Sequence, residues 1–99
     1  NGFRMNRIGI SFKSPLSSDE IRDRFIAPLR TAVEGARAGF YSNYLRQADA
    51  DPAAPAEHLL VFQVRDFQAG LRLLRMELER IGVPGEASFH NLDPSEPMY

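Results

Sequence analysis

The sequence predicts a single α+β domain in which a four-stranded antiparallel sheet carries both of its helices on one face. Two observations support this class. Two segments repeat apolar residues at the spacing of amphipathic helices, and four segments have the apolar patterns of strands. A length of 99 residues is enough for one domain and too short for two. We expect a single domain over 1–99, with its core at about 6–92, an N-terminal remnant at 1–5 and a C-terminal tail at 93–99.

The first part of the chain predicts a strand followed by a helix. Apolar and polar residues alternate over 7–12, which is typical of a half-buried strand. Ser17 and Glu20 have the spacing of a capping box, so a helix is expected to begin there. Pro28 lies inside this helix and predicts a kink, and Gly35 is expected to end the helix. The buried stripe is expected at Ile21, Phe25, Leu29 and Ala32.

The middle of the chain predicts two strands joined by a loop. Residues 39–47 form an aromatic-rich strand, and 58–65 form the most apolar strand, which favours a central position in the sheet. The intervening residues 48–56 are rich in proline, alanine and aspartate, and they predict a mobile loop. His58, at the start of the second of these strands, is expected to be a solvated strand-end residue.

The last third predicts a helix and a short strand. Asp66 is the expected N-cap, Gly82 is expected to end the helix, and a final strand is expected at 86–92. The resulting order is that of the ferredoxin-like β-α-β-β-α-β fold, with the first and third strands in the centre of the sheet. The side chains facing the helices are expected to be Ile8, Ile10, Phe12, Leu60, Phe62, Val64, Ala87 and Phe89.

Charge and composition restrict the function. Twelve basic and 13 acidic residues give a net charge of −1, so the chain lacks the positive field that attracts nucleic acid. There is no cysteine, and the two histidines are far apart in the sequence, so we expect no metal site and no cofactor. No apolar run approaches the ~20 residues of a membrane helix. We therefore expect a cytoplasmic protein without a membrane partner.

The sheet face without helices is the surface that says most about function. The register of 39–47 leaves two alternatives for what this strand adds to it, Tyr41 with Asn43 and Leu45, or Phe40 with Ser42 and Tyr44. Aromatic residues and arginine are favoured in protein contacts. Our candidate ligand-binding or partner-binding residues are Tyr41, Asn43, Tyr44, Arg46, Val61, Gln63, Arg65 and His90.

Three functions fit this pattern. The first is a non-enzymatic binding or protein-interaction module, a homodimer through the uncovered sheet face, with another protein or a small apolar ligand as the alternative partner. The second is a small enzyme of the dimeric α+β barrel type with a pocket between the sheets, in which acid-base chemistry would come from His90, Tyr41 or Tyr44, Asn43 and Arg65. The third is a regulatory or inhibitory partner protein that pairs through its edge strand at 39–47.

Overall fold

The computed structural model describes residues 5–82 and 85–93. The expected remnant at 1–4, the turn residues 83–84 and the tail at 94–99 lie outside this range. Within it the chain forms strands and helical segments in the order β1 (Asn6–Ser14), α1 (Ser18–Ile21), a π-helical segment (Arg22–Ile26), α2 (Ala27–Gly35), β2 (Gly39–Gln47), β3 (Ala56–Val64), α3 (Phe67–Ile81) and β4 (Ser88–Asn91). We call the continuous helical region from α1 to α2 the first helix.

The described strands form one antiparallel sheet in the order β2-β3-β1-β4. β1 and β3 are paired along their whole length, from Asn6 opposite Val64 to Ser14 opposite Ala56. This confirms that the first and third strands are central. β4 is shorter than expected, since only 88–91 of the predicted 86–92 is paired with β1.

The first helix continues through Pro28 by means of the π-helical segment that precedes it. The capping box is present, because Ser17 Oγ accepts from the Glu20 amide and Glu20 Oε1 accepts from the Ser17 amide. A proline ring clashes with the carbonyl four residues earlier, and a wider π turn is one way to accommodate it. The buried stripe is as expected at Ile21, Phe25 and Leu29. The buried position in the last turn is Val33 rather than the expected Ala32.

The first helix ends at Gly35, as expected. In the turn that follows, the Ala38 amide donates to the Val33 carbonyl and the Arg37 amide donates to the Glu34 carbonyl, which together form a Schellman motif. The left-handed residue of this motif is Arg37, with φ of 57°. A side chain at this position is strained, because Cβ approaches the following carbonyl oxygen. The left-handed position therefore lies two residues after the glycine.

The core lies between the helices and one face of the sheet. Its buried members from β1 and β3 include Ile8, Ile10, Phe12, Leu60, Phe62 and Val64, as expected, whereas Ala87 and Phe89 are only partly buried. Residues of the first helix and of α3 belong to the same cluster, so both helices cover the same face. Burying each large aliphatic or aromatic side chain stabilises the fold by roughly 1.5–3 kcal/mol.

The second helix and its ends agree with the sequence pattern. Asp66 caps α3, its side chain accepting from the Ala69 amide at 2.8 Å. Leu74 and Leu78 are buried, and Gly82 follows the helix with φ of 103°. Asp93, the first residue of the expected tail, pairs with Arg7 of β1 at 2.8 Å. The sheet order and the helix positions therefore leave the opposite face of the sheet uncovered by either helix.

Candidate functional site

The side chains that β2 presents on each face are determined by a β-bulge at Ser42. Tyr41 lies opposite Phe62, but Asn43 lies opposite Val61, so β2 has one extra residue between them. Side chains normally alternate between the two faces along a strand, and one extra residue reverses this alternation. Residues after the bulge therefore face the side opposite to the one that regular alternation from Tyr41 would give them. Neither alternative from the sequence was right.

We call the sheet face opposite the helices the open face, and its central residues are Gly9, Ser11, Leu59, Val61, Gln63 and His90. β2 adds Phe40, Asn43 and Leu45 to it. Tyr41 and Tyr44 instead face the helices, where they pack against the core. The two tyrosines were candidates for the open face, and the bulge places them on the other side.

The open face is apolar at several positions and differs in how exposed they are. Leu45 is 52% exposed and Phe40 is 42% exposed. Val61 is only 6% exposed although it lies on the same face. Leu45 therefore offers accessible apolar surface, whereas Val61 offers almost none.

A groove of about 610 Å³ crosses the open face at the end of β2. Leu45, Leu59 and Leu92 supply its apolar lining. Leu59 and Leu92 come together above Gly9, where their Cδ1 atoms lie 3.0 and 3.1 Å from the position a Cβ would take. A larger residue in place of Gly9 would displace both leucines, so this glycine shapes the groove floor.

Ser11 and His90 form the polar part of the groove. Ser11 Oγ lies 2.7 Å from His90 Nε2. Ser11 belongs to β1 and His90 to β4, where His90 is paired with Gly9, two residues away on the same face. Sequence alternation placed His90 on this face correctly, but it did not link His90 to Ser11. The contact depends on the register between β1 and β4, which places His90 opposite Gly9 and next to Ser11.

Arg46 and Glu57 also border the groove, and the register places Glu57 on the open face and Arg46 on the helix side, opposite His58. The other sequence candidates lie elsewhere. Gln63 Nε2 donates to Ser42 Oγ at 3.3 Å, and the Arg65 amide donates to the Ala38 carbonyl just after β3. Of the eight candidates, only Arg46 and His90 line this groove among the described residues.

A second polar cluster lies on the helix side of the sheet around His58. This histidine is fully buried, which contradicts its expected role as a solvated strand-end residue. β3 begins at Ala56, so His58 is its third residue and points inward together with Leu60. The alternation of the strand, extended two residues toward the N-terminus, predicts this orientation.

Both ring nitrogens of His58 are hydrogen-bonded. Nε2 lies 3.0 Å from the Ser14 carbonyl oxygen, and Nδ1 lies 2.7 Å from the Tyr44 hydroxyl. Because a carbonyl only accepts, Nε2 carries the hydrogen, and Tyr44 donates to Nδ1. The Arg22 guanidinium lies 5.5 Å from the centroid of the Tyr44 ring. Both ring nitrogens of His58 therefore have protein partners, and these hydrogen bonds link β3 to β1 and β2. We assign the cluster a structural role.

Side chains occupy part of the free edge of β2. The Tyr41 amide donates to Glu34 Oε2 at 3.4 Å, and the Tyr44 amide donates to Asn43 Oδ1 at 2.8 Å. An edge strand templates association through unpaired backbone groups, and these two groups already have partners. Asn43 thus acts within β2.

Burial raises the pKa of the Tyr41 phenol above its usual value, and the positive charge of Arg22 offsets only part of this effect.

Among residues 5–82 and 85–93, no group of three or more His, Cys, Asp or Glu side chains is arranged to hold a metal ion. In the same part of the chain, no helix has the length and apolar character needed to cross a membrane.

Comparison with known proteins gives no family for this chain. Neither the scan against protein-family models nor the searches of curated proteins and solved structures returned a match. The function is therefore inferred from the geometry of the open face and its groove.

Proposed function

We propose that this chain is a non-enzymatic binding module whose working surface is the open face, and that a second copy of the chain covers this face. The exposed leucine at the groove, Leu45, carries the proposal. Together with Phe40, Leu59 and Leu92 it makes an apolar patch on the sheet face that neither helix covers. Patches of this kind mark interaction surfaces.

The size of the face supports a second copy as the occupant. A nine-residue strand is ~30 Å long, and neighbouring strands are ~4.8 Å apart. With β4 short, the open face has a footprint on the order of 500 Å² per copy, or on the order of 1,000 Å² for two copies. Such an area is at the lower end of specific protein interfaces, where association is weak and reversible.

The two alternative functions have less support from the geometry. The residues that would serve an enzyme are divided between two sides of the sheet, since His90 lies on the open face and Tyr41 and Tyr44 face the helices. Pairing through the edge of β2 is opposed by Glu34 and Asn43, which occupy two of its amides.

The strand order supports the fold that the sequence suggested. In a split β-α-β arrangement the first and third strands lie in the centre, flanked by the second and the fourth, and this agrees with the order β2-β3-β1-β4. We infer on this basis that the domain is of the ferredoxin-like kind. An uncovered sheet face is a direct consequence of such an arrangement.

A charge on the open face tests the proposed function. Leu45→Lys places an ammonium group on the exposed apolar surface of the proposed interface, and it is expected to dissociate the dimer without unfolding the chain, because Leu45 is half exposed. Met76→Lys is the matched control, since Met76 is 61% exposed on α3, on the other side of the sheet. Sedimentation velocity measures both variants. A dimer that resists Leu45→Lys, or that dissociates equally with Met76→Lys, contradicts the proposal.

A further inference from the structure

We infer that the groove on the open face binds a small, uncharged, mainly apolar molecule that carries one carbonyl or hydroxyl oxygen. The inference rests on the proposed function, because it takes the open face as the working surface and the second copy as the roof of the groove. It adds the chemical class of ligand that the groove is built to receive.

The size and lining of the groove fit a small molecule. Its volume of about 610 Å³ lies within the range of ~300–1,000 Å³ in which small-molecule sites are found. Leu45, Leu59 and Leu92 provide apolar contacts from three strands or strand ends. Such sites combine apolar walls with a few placed polar groups, and here the polar group is the pair of Ser11 and His90.

The Ser11 hydroxyl keeps hydrogen-bonding capacity for a ligand, whichever atom holds the shared proton. If His90 Nε2 carries the hydrogen and donates to Ser11 Oγ, the hydroxyl hydrogen of Ser11 is available for a ligand carbonyl or hydroxyl oxygen. If the hydroxyl donates to Nε2 instead, Ser11 Oγ keeps lone pairs for a ligand hydroxyl. A single oxygen-containing group on the ligand therefore finds a partner in the pair.

The lining of the groove favours an uncharged ligand. Leu45, Leu59 and Leu92 make its walls apolar, and an apolar environment penalises any charge that enters it without a partner. Glu57, which lies opposite Gln47 on the open face, repels a carboxylate.

The experiment is a titration of the full chain, labelled at its leucine methyl groups, followed by nuclear magnetic resonance. Three probes of similar shape are used: acetophenone, ethylbenzene, which lacks the oxygen, and benzoate, which is charged. Acetophenone is expected to shift the resonances of Leu45, Leu59 and Leu92 to saturation. It should bind about fivefold to tenfold more tightly than ethylbenzene, which corresponds to one hydrogen bond. Benzoate should bind more weakly than acetophenone.

Two serine variants identify the source of that preference. Ser11→Ala is expected to abolish the difference between acetophenone and ethylbenzene. Ser88→Ala is the matched control, since Ser88 is paired with Ser11 on the neighbouring strand, and it should keep the difference. The inference is overturned if neither acetophenone nor 1-phenylethanol, whose hydroxyl both donates and accepts, binds the unsubstituted chain more tightly than ethylbenzene, or if the preference is unchanged in Ser11→Ala.

The same samples separate this inference from the proposed function. Translational diffusion measured alongside each titration reports whether the chain is a monomer or a dimer. A dimer whose leucine resonances do not respond to acetophenone rejects the ligand site and leaves the covered face in place. A monomer that binds acetophenone with the expected preference rejects the second copy and supports the groove.

Discussion

The hydroxyl of Tyr44 donates to Nδ1 of His58 at 2.7 Å, and this contact joins the edge strand of the sheet to the interior. Nε2 of the same ring donates to the Ser14 carbonyl at the end of β1. His58 is fully buried, so both nitrogens depend on protein partners. The contacts of His58 therefore link β1, β2 and β3.

Removing the tyrosine hydroxyl tests this role. Tyr44→Phe leaves Nδ1 of His58 without its donor in a buried site, and the free energy of unfolding is expected to fall by about 1–3 kcal/mol. Urea denaturation measures the change. Tyr41→Phe is the control, because the Tyr41 ring packs against Phe62 and keeps that contact as phenylalanine. Equal effects of the two substitutions contradict the assigned role of the Tyr44–His58 hydrogen bond.

The close approach of β2 to β3 depends on Gly39. A Cβ at this position would lie 1.9 Å from the Gln63 carbonyl oxygen and 2.7 Å from Val64 Cα. Gly39→Ala is expected to cost more than about 3 kcal/mol or to prevent folding, because the backbone of β3 has no room to withdraw. Gly35→Ala is the control, since nothing lies within 4 Å of its Cβ position. It should stabilise the helix by about 0.5–1 kcal/mol, and thermal unfolding distinguishes the two.

The strained end of the first helix predicts a stabilising substitution. Arg37 occupies the left-handed position of the Schellman motif with φ of 57°. Glycine adopts this conformation without the Cβ clash, so Arg37→Gly is expected to raise the free energy of unfolding by about 0.5–1 kcal/mol. Arg37→Ala keeps the clash and should change stability little. A larger gain from alanine than from glycine would show that the charge of Arg37 matters more than its backbone.

Tyr41 makes stability dependent on alkaline pH. Burial raises its pKa in the folded state, whereas unfolded tyrosine titrates near its usual pKa of about 10. The unfolded chain therefore loses its proton first. The stability contributed by neutral Tyr41 is complete below about pH 10 and is lost as the pH rises through the folded-state pKa. Tyr41→Phe should lose less stability than the unsubstituted chain between about pH 9 and about pH 11, as measured by urea unfolding. Parallel curves contradict this assignment.

Much of the fold follows from local patterns in the sequence. The alternation of Ile8, Ile10 and Phe12 and the cap at Asp66 each determined an element by short-range chemistry. β2 was predicted with the bounds Gly39–Gln47 that it has in the structure. Such features are local because a strand face or a helix cap involves only neighbouring residues.

The functional surface was harder to predict because it depends on the register between distant strands. The bulge at Ser42 moves both tyrosines to the helix side, and nothing in the letters around Ser42 marks it. The link between Ser11 and His90 appears only once β1 and β4 are paired. His58 was misjudged because the strand was expected to begin at 58 rather than at Ala56.

The most direct test of the account is the solution mass of the unsubstituted chain, measured by light scattering over a range of concentrations. We expect a reversible dimer, with a mass that rises with concentration toward twice the 11.2 kDa of the single chain. A mass that stays at 11.2 kDa up to millimolar concentration would contradict the covered open face.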